Sequence, residues 1–371
     1  MVKHNTMSEI DLGFAEECEP KWLTNANFPS KIGGKPAWLH LGELPATESL
    51  RCKKCGKPKS FLCQVYSPFE DDHNFHRTIF VFVCRTESCY VANDNSQCVT
   101  ALRSQLPLRN SFYSEIPPED GVAVPEVLPP KSKLCATCGC LGTLQCSRCR
   151  KINYCGLEHQ RLHWKYHKIV CSADNTGCDS KLAADEIVRE IVFPEWEICM
   201  NADDESEDDA EEDTNKTEVN EEEQLKELDK LISSGKAGQF QSLPESELEK
   251  YTSGCEEVDD KDFRKFRKEC SKAPRQVIRY MRKGTPLWIA SKDKIQVFLD
   301  NIPACDICGS PREYEFQIMP QMLNHLQDSN LDWGVLAIYT CPKSCPLPDG
   351  KGYTEEIVIK QDIVVENDKS S

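Results

Sequence analysis

The chain has 371 residues, 29% of them charged, and a formal net charge of −16. That length accommodates two or three domains, and so large a surplus of carboxylates argues against sequence-blind duplex binding, whose affinity comes from neutralised phosphates. The first twenty residues lack a continuous apolar core and the longest apolar run, Ile79 to Cys84, is far too short to span a bilayer, so neither export nor membrane insertion is expected. The 22 cysteines then belong in a reducing compartment, where they read as metal ligands and free thiols, not disulfides.

Residues 10–115 alternate apolar runs with turn signals and carry Cys52, Cys55, Cys84 and Cys89. Phe61, Val65, Ile79, Val81 and Val83 are spaced for sheet faces. A proline-rich joint over 116–133 favours extended backbone and excludes helix. Residues 134–172 carry two C-x2-C turns followed by C-x3-H and H-x3-C. The eight borderline ligands there are Cys135, Cys138, Cys146, Cys149, Cys155, His159, His167 and Cys171. Eight ligands make two tetrahedral shells, and a segment with so little apolar material needs metal to organise it.

A connector over 173–200 leads into an acidic tract at 201–223, with thirteen carboxylates, which reads as disordered. Helical pattern returns over 224–273. Around its end Phe263, Phe266, Val277, Ile278 and Met281 predict amphipathic helices broken at Pro274. Residues 274–366 return to strand pattern, with Val335, Ala337 and Tyr339 on one face, and carry Cys305, Cys308, Cys341 and Cys345.

The two flanking regions repeat one another. Pro36-Ala-Trp38-Leu matches Pro286-Leu-Trp288-Ile, and Cys52-x2-Cys55-Gly-x-Pro58 matches Cys305-x2-Cys308-Gly-x-Pro311. Gln64 and Gln317 follow in the same register, then Pro68 and Pro320, then a β-rich run ending in a second cysteine pair. In each copy a zinc ribbon explains the order: two cysteine-bearing turns meet at one end of paired strands and one ion clamps them. The expected fold is therefore α+β and mainly β. Two homologous zinc-ribbon-like half-domains form a pseudo-symmetric body, with a small α+β finger inserted and a disordered acidic linker. Trp38 and Trp288 are expected as equivalent core aromatics. About four Zn2+ per chain are expected, one per half and two in the finger, although iron also occupies four-thiolate sites.

The central segment resembles the MYND zinc finger over its whole length, including Tyr154-Cys155 and His163-Trp164. By that resemblance one zinc takes Cys135, Cys138, Cys155 and His159, and the other Cys146, Cys149, His167 and Cys171. His159 stands where most such fingers have cysteine; Cys140 and His163 read as non-ligands. MYND fingers also resemble peptide readers, which places a proline-rich ligand near Gln160 and Trp164, unless Trp164 closes the finger's core.

Two halves flanking this finger resemble the programmed cell death protein 2 family from about Leu12 to Asp362, on segments such as VFPEWEI, FQIMPQMLNHL, DWGVLAIYTC and GYTEEIVIKQD. The resemblance implies a non-enzymatic chaperone of cytoplasm and nucleus. Its client would be the small-subunit ribosomal protein S-two, of the universal S-five family, captured during synthesis and delivered to ribosome biogenesis. It also implies a link to cell proliferation and stem-cell maintenance. The alternative is a transcriptional or corepressor adaptor acting through the finger. A methyltransferase is disfavoured, because Asn324-His325 continues into Leu-Gln and no glycine-rich cofactor loop accompanies it. Direct nucleic-acid binding is also disfavoured: Arg148, Arg150, Lys151, Arg161, Lys165 and Lys168 read as solvated cations. No membrane role is expected. The acidic tract reads either as a solvating spacer or as a shield for a cationic client, with the strand edges of the halves open to an extended client segment.

Overall fold

The computed structural model describes residues 10–91, 97–117, 121–171, 191–202, 261–290, 295–348 and 350–362. The acidic tract from 203 onward and the part of the helical segment before 261 lie outside these residues, so the expected disorder and the helices there have no structural account.

Ten strands close into one barrel, and a second, two-stranded sheet belongs to the finger. The N-terminal region contributes β1 (Asp11–Glu16), β2 (Lys31–Ile32), β3 (Ser60–Tyr66), β4 (His76–Val83) and β5 (Val99–Leu106). The finger holds β6 (Leu144–Gln145), β7 (Asn153–Tyr154) and helix α1 (Leu157–Val170). After it come β8 (Trp196–Ala202), α2 (Lys261–Lys272), β9 (Gln276–Tyr280) and α3 (Ile295–Leu299). Then follow β10 (Glu313–Ile318), α4 (Leu323–Leu326), β11 (Val335–Thr340) and β12 (Thr354–Gln361).

The barrel order is β1-β8-β2-β3-β4-β5-β12-β11-β10-β9. Each run of four, β2 to β5 and β9 to β12, is a meander of antiparallel neighbours. The leading strands are exchanged between them: β1, from the N-terminus, pairs with β9, whereas β8, which follows the finger, pairs with β2. The halves are thus one interlocked body. Because the barrel closes, every barrel strand has a neighbour on both sides, with β5 and β12 paired at three residues each and β2 at two.

Alternation along the strands separates two environments. Ile79, Val81, Val83, Ala101, Leu336, Ile338 and Val358 share the interior cluster. Phe80, Phe82 and Leu102 point outward into a cluster with the finger, and Val335, Ala337 and Tyr339 point outward under α2 and α3. Strand β4 is buried at all eight positions, and its apolar run begins at Ile79, after His76, Arg77 and Thr78.

Gln64 and Gln317 do the same work in the two halves. The Ala37 N–H donates to Gln64 Oε1 at 2.9 Å, and the Leu287 N–H donates to Gln317 Oε1 at 2.6 Å. Their surroundings differ. Trp38 is 2% exposed under Phe80, Phe82 and Tyr353, whereas Trp288 is only partly buried against the cluster that α2 and α3 cover. Two further expectations are corrected. Val277 and Ile278 lie in strand β9, not in a second helix, because Pro274 ends α2 and β1 and β10 offer ladder partners on both sides. Trp196 to Ala202, assigned to the connector and the start of the acidic tract, is a barrel strand.

Charged side chains also enter the barrel. Arg77 and Glu315, both wholly buried, form a bidentate pair with Nη2 to Oε2 at 2.7 Å. Ser67, Tyr280 and Thr340 hydroxyls also donate to Glu315. Burial alone would push the Glu315 carboxyl up, but Arg77 and these hydrogen bonds bring it down to about 2. Its contribution to stability is therefore present above about pH 4.5 and is lost as pH falls toward about 2. Glu315→Gln, which leaves Arg77 buried without a counter-charge, is expected to lower unfolding free energy by about 3–5 kcal/mol in denaturant titration at neutral pH. A loss under about 1 kcal/mol would mean that the pair behaves as a solvated one.

Candidate metal centres

All sixteen sequence-assigned ligands converge into four sets. They are Cys52, Cys55, Cys84 and Cys89 in the first half and Cys305, Cys308, Cys341 and Cys345 in the second. In the finger they are Cys135, Cys138, Cys155 and His159, and Cys146, Cys149, His167 and Cys171.

One backbone device builds the first turn of every set. The residue four places after the leading cysteine adopts a left-handed conformation and donates its N–H back to that cysteine's carbonyl. These residues are Gly56, Gly139, Gly309 and Arg150, with φ of 71°, 72°, 68° and 54° and N–O distances of 2.8–3.0 Å. The turn aims both thiols to the same side. Glycine adopts this conformation without penalty and arginine does not.

The donor spacing suits zinc. Four sulfurs about 2.3 Å from a central ion lie about 3.8 Å from one another. Cys52–Cys89 and Cys55–Cys84 are 3.8 and 3.6 Å apart, and Cys308–Cys341 and Cys341–Cys345 are both 3.6 Å apart. In the finger Cys138–Cys155 and Cys146–Cys171 are both 3.7 Å apart. His159 presents Nδ1 at 3.0 Å from Cys155, and His167 presents Nε2 at 3.4 Å from Cys149 and 3.3 Å from Cys146. Disulfide sulfurs would sit near 2 Å. Each set therefore fits a tetrahedral ion with three or four thiolates, and bound zinc would supply a structural cross-link there.

Cys140 and His163 stay outside both shells. The Cys140 thiol lies 3.9 Å from the Cys138 carbonyl oxygen, and His163 Nδ1 pairs with the Tyr154 hydroxyl at 2.9 Å. Burial lowers the His163 pKa below its ordinary value. Gln160 and Trp164 lie one turn apart on α1. Trp164 is 41% exposed, touching His167 edge-on, so it does not close the finger's core.

Sequence reasoning missed how the finger is seated. The Trp38 indole N–H donates to the Gly139 carbonyl at 2.8 Å, and Lys35 Nζ donates to the Ala136 carbonyl at 2.9 Å. The described residues of the proline-rich joint carry no helix or strand, and Asn25 holds them by exchanging hydrogen bonds with the Val127 backbone at 2.8 and 2.9 Å. The Pro-x-Trp repeat was the available signal, since Trp38 lies in the copy that precedes the finger.

Fold and sites define a zinc-organised β-barrel protein bearing a MYND finger. The family model for the N-terminal domain of programmed cell death protein 2 matches residues 9–120, that for its C-terminal putative domain residues 260–362, and the MYND finger model residues 135–171. Programmed cell death protein 2 from Mus musculus is 40% identical over 95% of this chain and 96% of its own length. The human programmed cell death protein 2-like protein is 27% identical over 90% of each. The chain belongs to the programmed cell death protein 2 family. A probable 20S rRNA accumulation protein 4 from Schizosaccharomyces pombe is 36% identical over 112 residues, 27% of this chain and 28% of its own. No solved structure matches.

Elemental analysis of the purified chain is expected to find about four zinc ions, one per set; a folded, metal-free chain would contradict the assignment. Arg150→Gly, which relieves the one non-glycine turn, is expected to raise stability by up to about 1 kcal/mol, read as a higher melting temperature of the zinc-loaded protein.

Proposed function

We propose that this protein is a non-enzymatic, zinc-organised chaperone acting in cytoplasm and nucleus. It captures the newly made small-subunit ribosomal protein S-two, of the universal S-five family, and supports small-subunit biogenesis. The observation that carries this reading is the similarity to a yeast protein named for 20S rRNA accumulation. The metal chemistry supports the non-catalytic part: each set offers four protein donors, whereas catalytic zinc keeps one position for water or substrate. A duplicated zinc ribbon accounts for the matching knuckles, meanders and Gln64/Gln317 contacts of the two halves, and so supports a rigid docking body. Net charge of −16 favours encounter with a cationic client, through an attraction screened within about 8 Å at physiological salt.

Affinity purification of the tagged full chain, after ribonuclease treatment, is expected to recover this one small-subunit protein in near-equal amount. Its absence, or its loss on ribonuclease treatment, would refute the proposal. A second reading, an adaptor that docks proline-rich partners on the finger, draws support from exposed Trp164. Trp164→Ala separates the two: the adaptor loses its main partner, while the chaperone keeps its client.

A further inference from the structure

Each four-cysteine set in the barrel has a buried cation in excess beside it. Around the second-half set three arginines, Arg77 and Arg103 from the first half and Arg312 from the second, meet two wholly buried carboxylates, Glu315 and Glu356, and among the described residues Arg312 has besides them only the exposed Asp306 at 3.9 Å. Arg103 and Arg312 share Glu356 at 2.8 and 2.9 Å, and Arg103 Nη2 has no hydrogen-bond partner among the described residues. Half-buried Arg282 feels Glu315 most among its charged neighbours, then Arg77, and half-buried Glu313 brings one further negative charge to the same group. In the first half Lys59, 3% exposed, donates to the Thr100 hydroxyl and makes no salt bridge among the described residues. Lys59 and Arg312 each follow the leading cysteine of their set, Cys52 or Cys305, by seven residues. An uncompensated buried cation costs several kcal/mol, so a counter-charge is required. Four thiolates around one divalent ion carry a net charge of −2 and supply it.

The contacts also cross between halves. Arg77 Nε donates to Ser344 Oγ at 2.9 Å and Arg103 Nη1 to the Cys345 carbonyl at 3.1 Å. Both arginines stand on first-half strands, and both acceptors lie in the Cys341–Cys345 turn of the second half. Gln105 Nε2 adds a bond to the Ser344 carbonyl at 3.1 Å. Arg312 fastens the other turn through the Pro303 and Ala304 carbonyls, both at 2.7 Å. In the opposite direction Lys360 Nζ of β12 reaches the Val91 carbonyl, two residues past Cys89, at 3.4 Å. These braces flank the seam between β5 and β12, which has only three paired residues on each strand.

We propose that the Cys305–Cys308–Cys341–Cys345 site is an ionic clasp of the barrel, its metal thiolate serving as counter-ion to a buried arginine cluster from both halves. Arg77 and Arg103 are positioning residues for a metal bound by the other half. Metal occupancy there holds the β5–β12 seam shut, and by linkage the closed seam retains the metal. The inference is independent of what the protein carries.

Zinc release from the full-length, zinc-loaded chain to a colorimetric chelator tests it, with alkylation and peptide mapping to show which cysteines are freed. Arg103→Met, which removes the excess charge, is expected to speed release from Cys305, Cys308, Cys341 and Cys345 by about fivefold or more. The finger sites should be unchanged. Adding Glu356→Gln restores one excess cation and is expected to recover slow release, which a purely structural role for Arg103 would not do. Unchanged release in Arg103→Met, equal acceleration at all four sites, or no recovery in the double variant would each overturn the proposal. Hydrogen exchange of Cys308→Ser is a second check. Deprotection should spread to β4 and β5 of the first half, and deprotection confined to residues 295–361 would overturn the clasp.

Discussion

Coordination of metal by four short cysteine turns is the constraint on which the other features rest. Each turn is a few residues long with no apolar core of its own, yet each anchors a part that the strands alone leave loose. Two sets clamp the connections between barrel strands, and two organise a finger whose only regular elements are a two-residue ladder and one helix. Structural zinc contributes about 10–16 kcal/mol of apparent binding free energy, comparable with the whole net stability of an ordinary domain, about 5–15 kcal/mol. Metal and fold are therefore one equilibrium here.

The barrel adds a different kind of constraint. Its two meanders exchange their leading strands, so neither half is complete by itself. The outer faces are then covered asymmetrically. The finger sits on Phe80, Phe82 and Trp38, while α2 and α3 cover the equivalent surface of the second half. The two meanders thus present two unlike exteriors. Bulk apolar packing fills the interior near the middle of the strands. Toward one end it gives way to paired ions, where Arg77, Arg103, Glu315 and Glu356 interlock the halves.

Much of this architecture was legible in the residues. Ligand identity followed from spacing, because a C-x2-C turn has essentially one way to offer two thiols to one ion. The repeat was readable from Gln64 and Gln317 and from the two Pro-x-Trp segments, and their shared contacts explain why those residues recur. The inward arginines left a weaker trace. Arg77 lies in alternation with Ile79, Val81 and Val83, and Arg103 with Val99 and Ala101, so both stand on apolar faces. At β9 two readings competed: the chain returns to strand pattern from 274 onward, while Val277 and Ile278 next to a basic run also fit a helix.

Sequence alone determined the metal ligands and the mainly β character, through cysteine spacing, the repeat and strand periodicity, and the division of the finger's ligands into two sets came through its resemblance to the MYND pattern. Only the tertiary structure decided that the barrel closes, that β1 and β8 change places, and that Trp38 seats the finger. Each of these is a pairing between segments far apart in sequence. Such pairings are chosen by shape and by the need to satisfy buried backbone and charge, and neither leaves a local pattern.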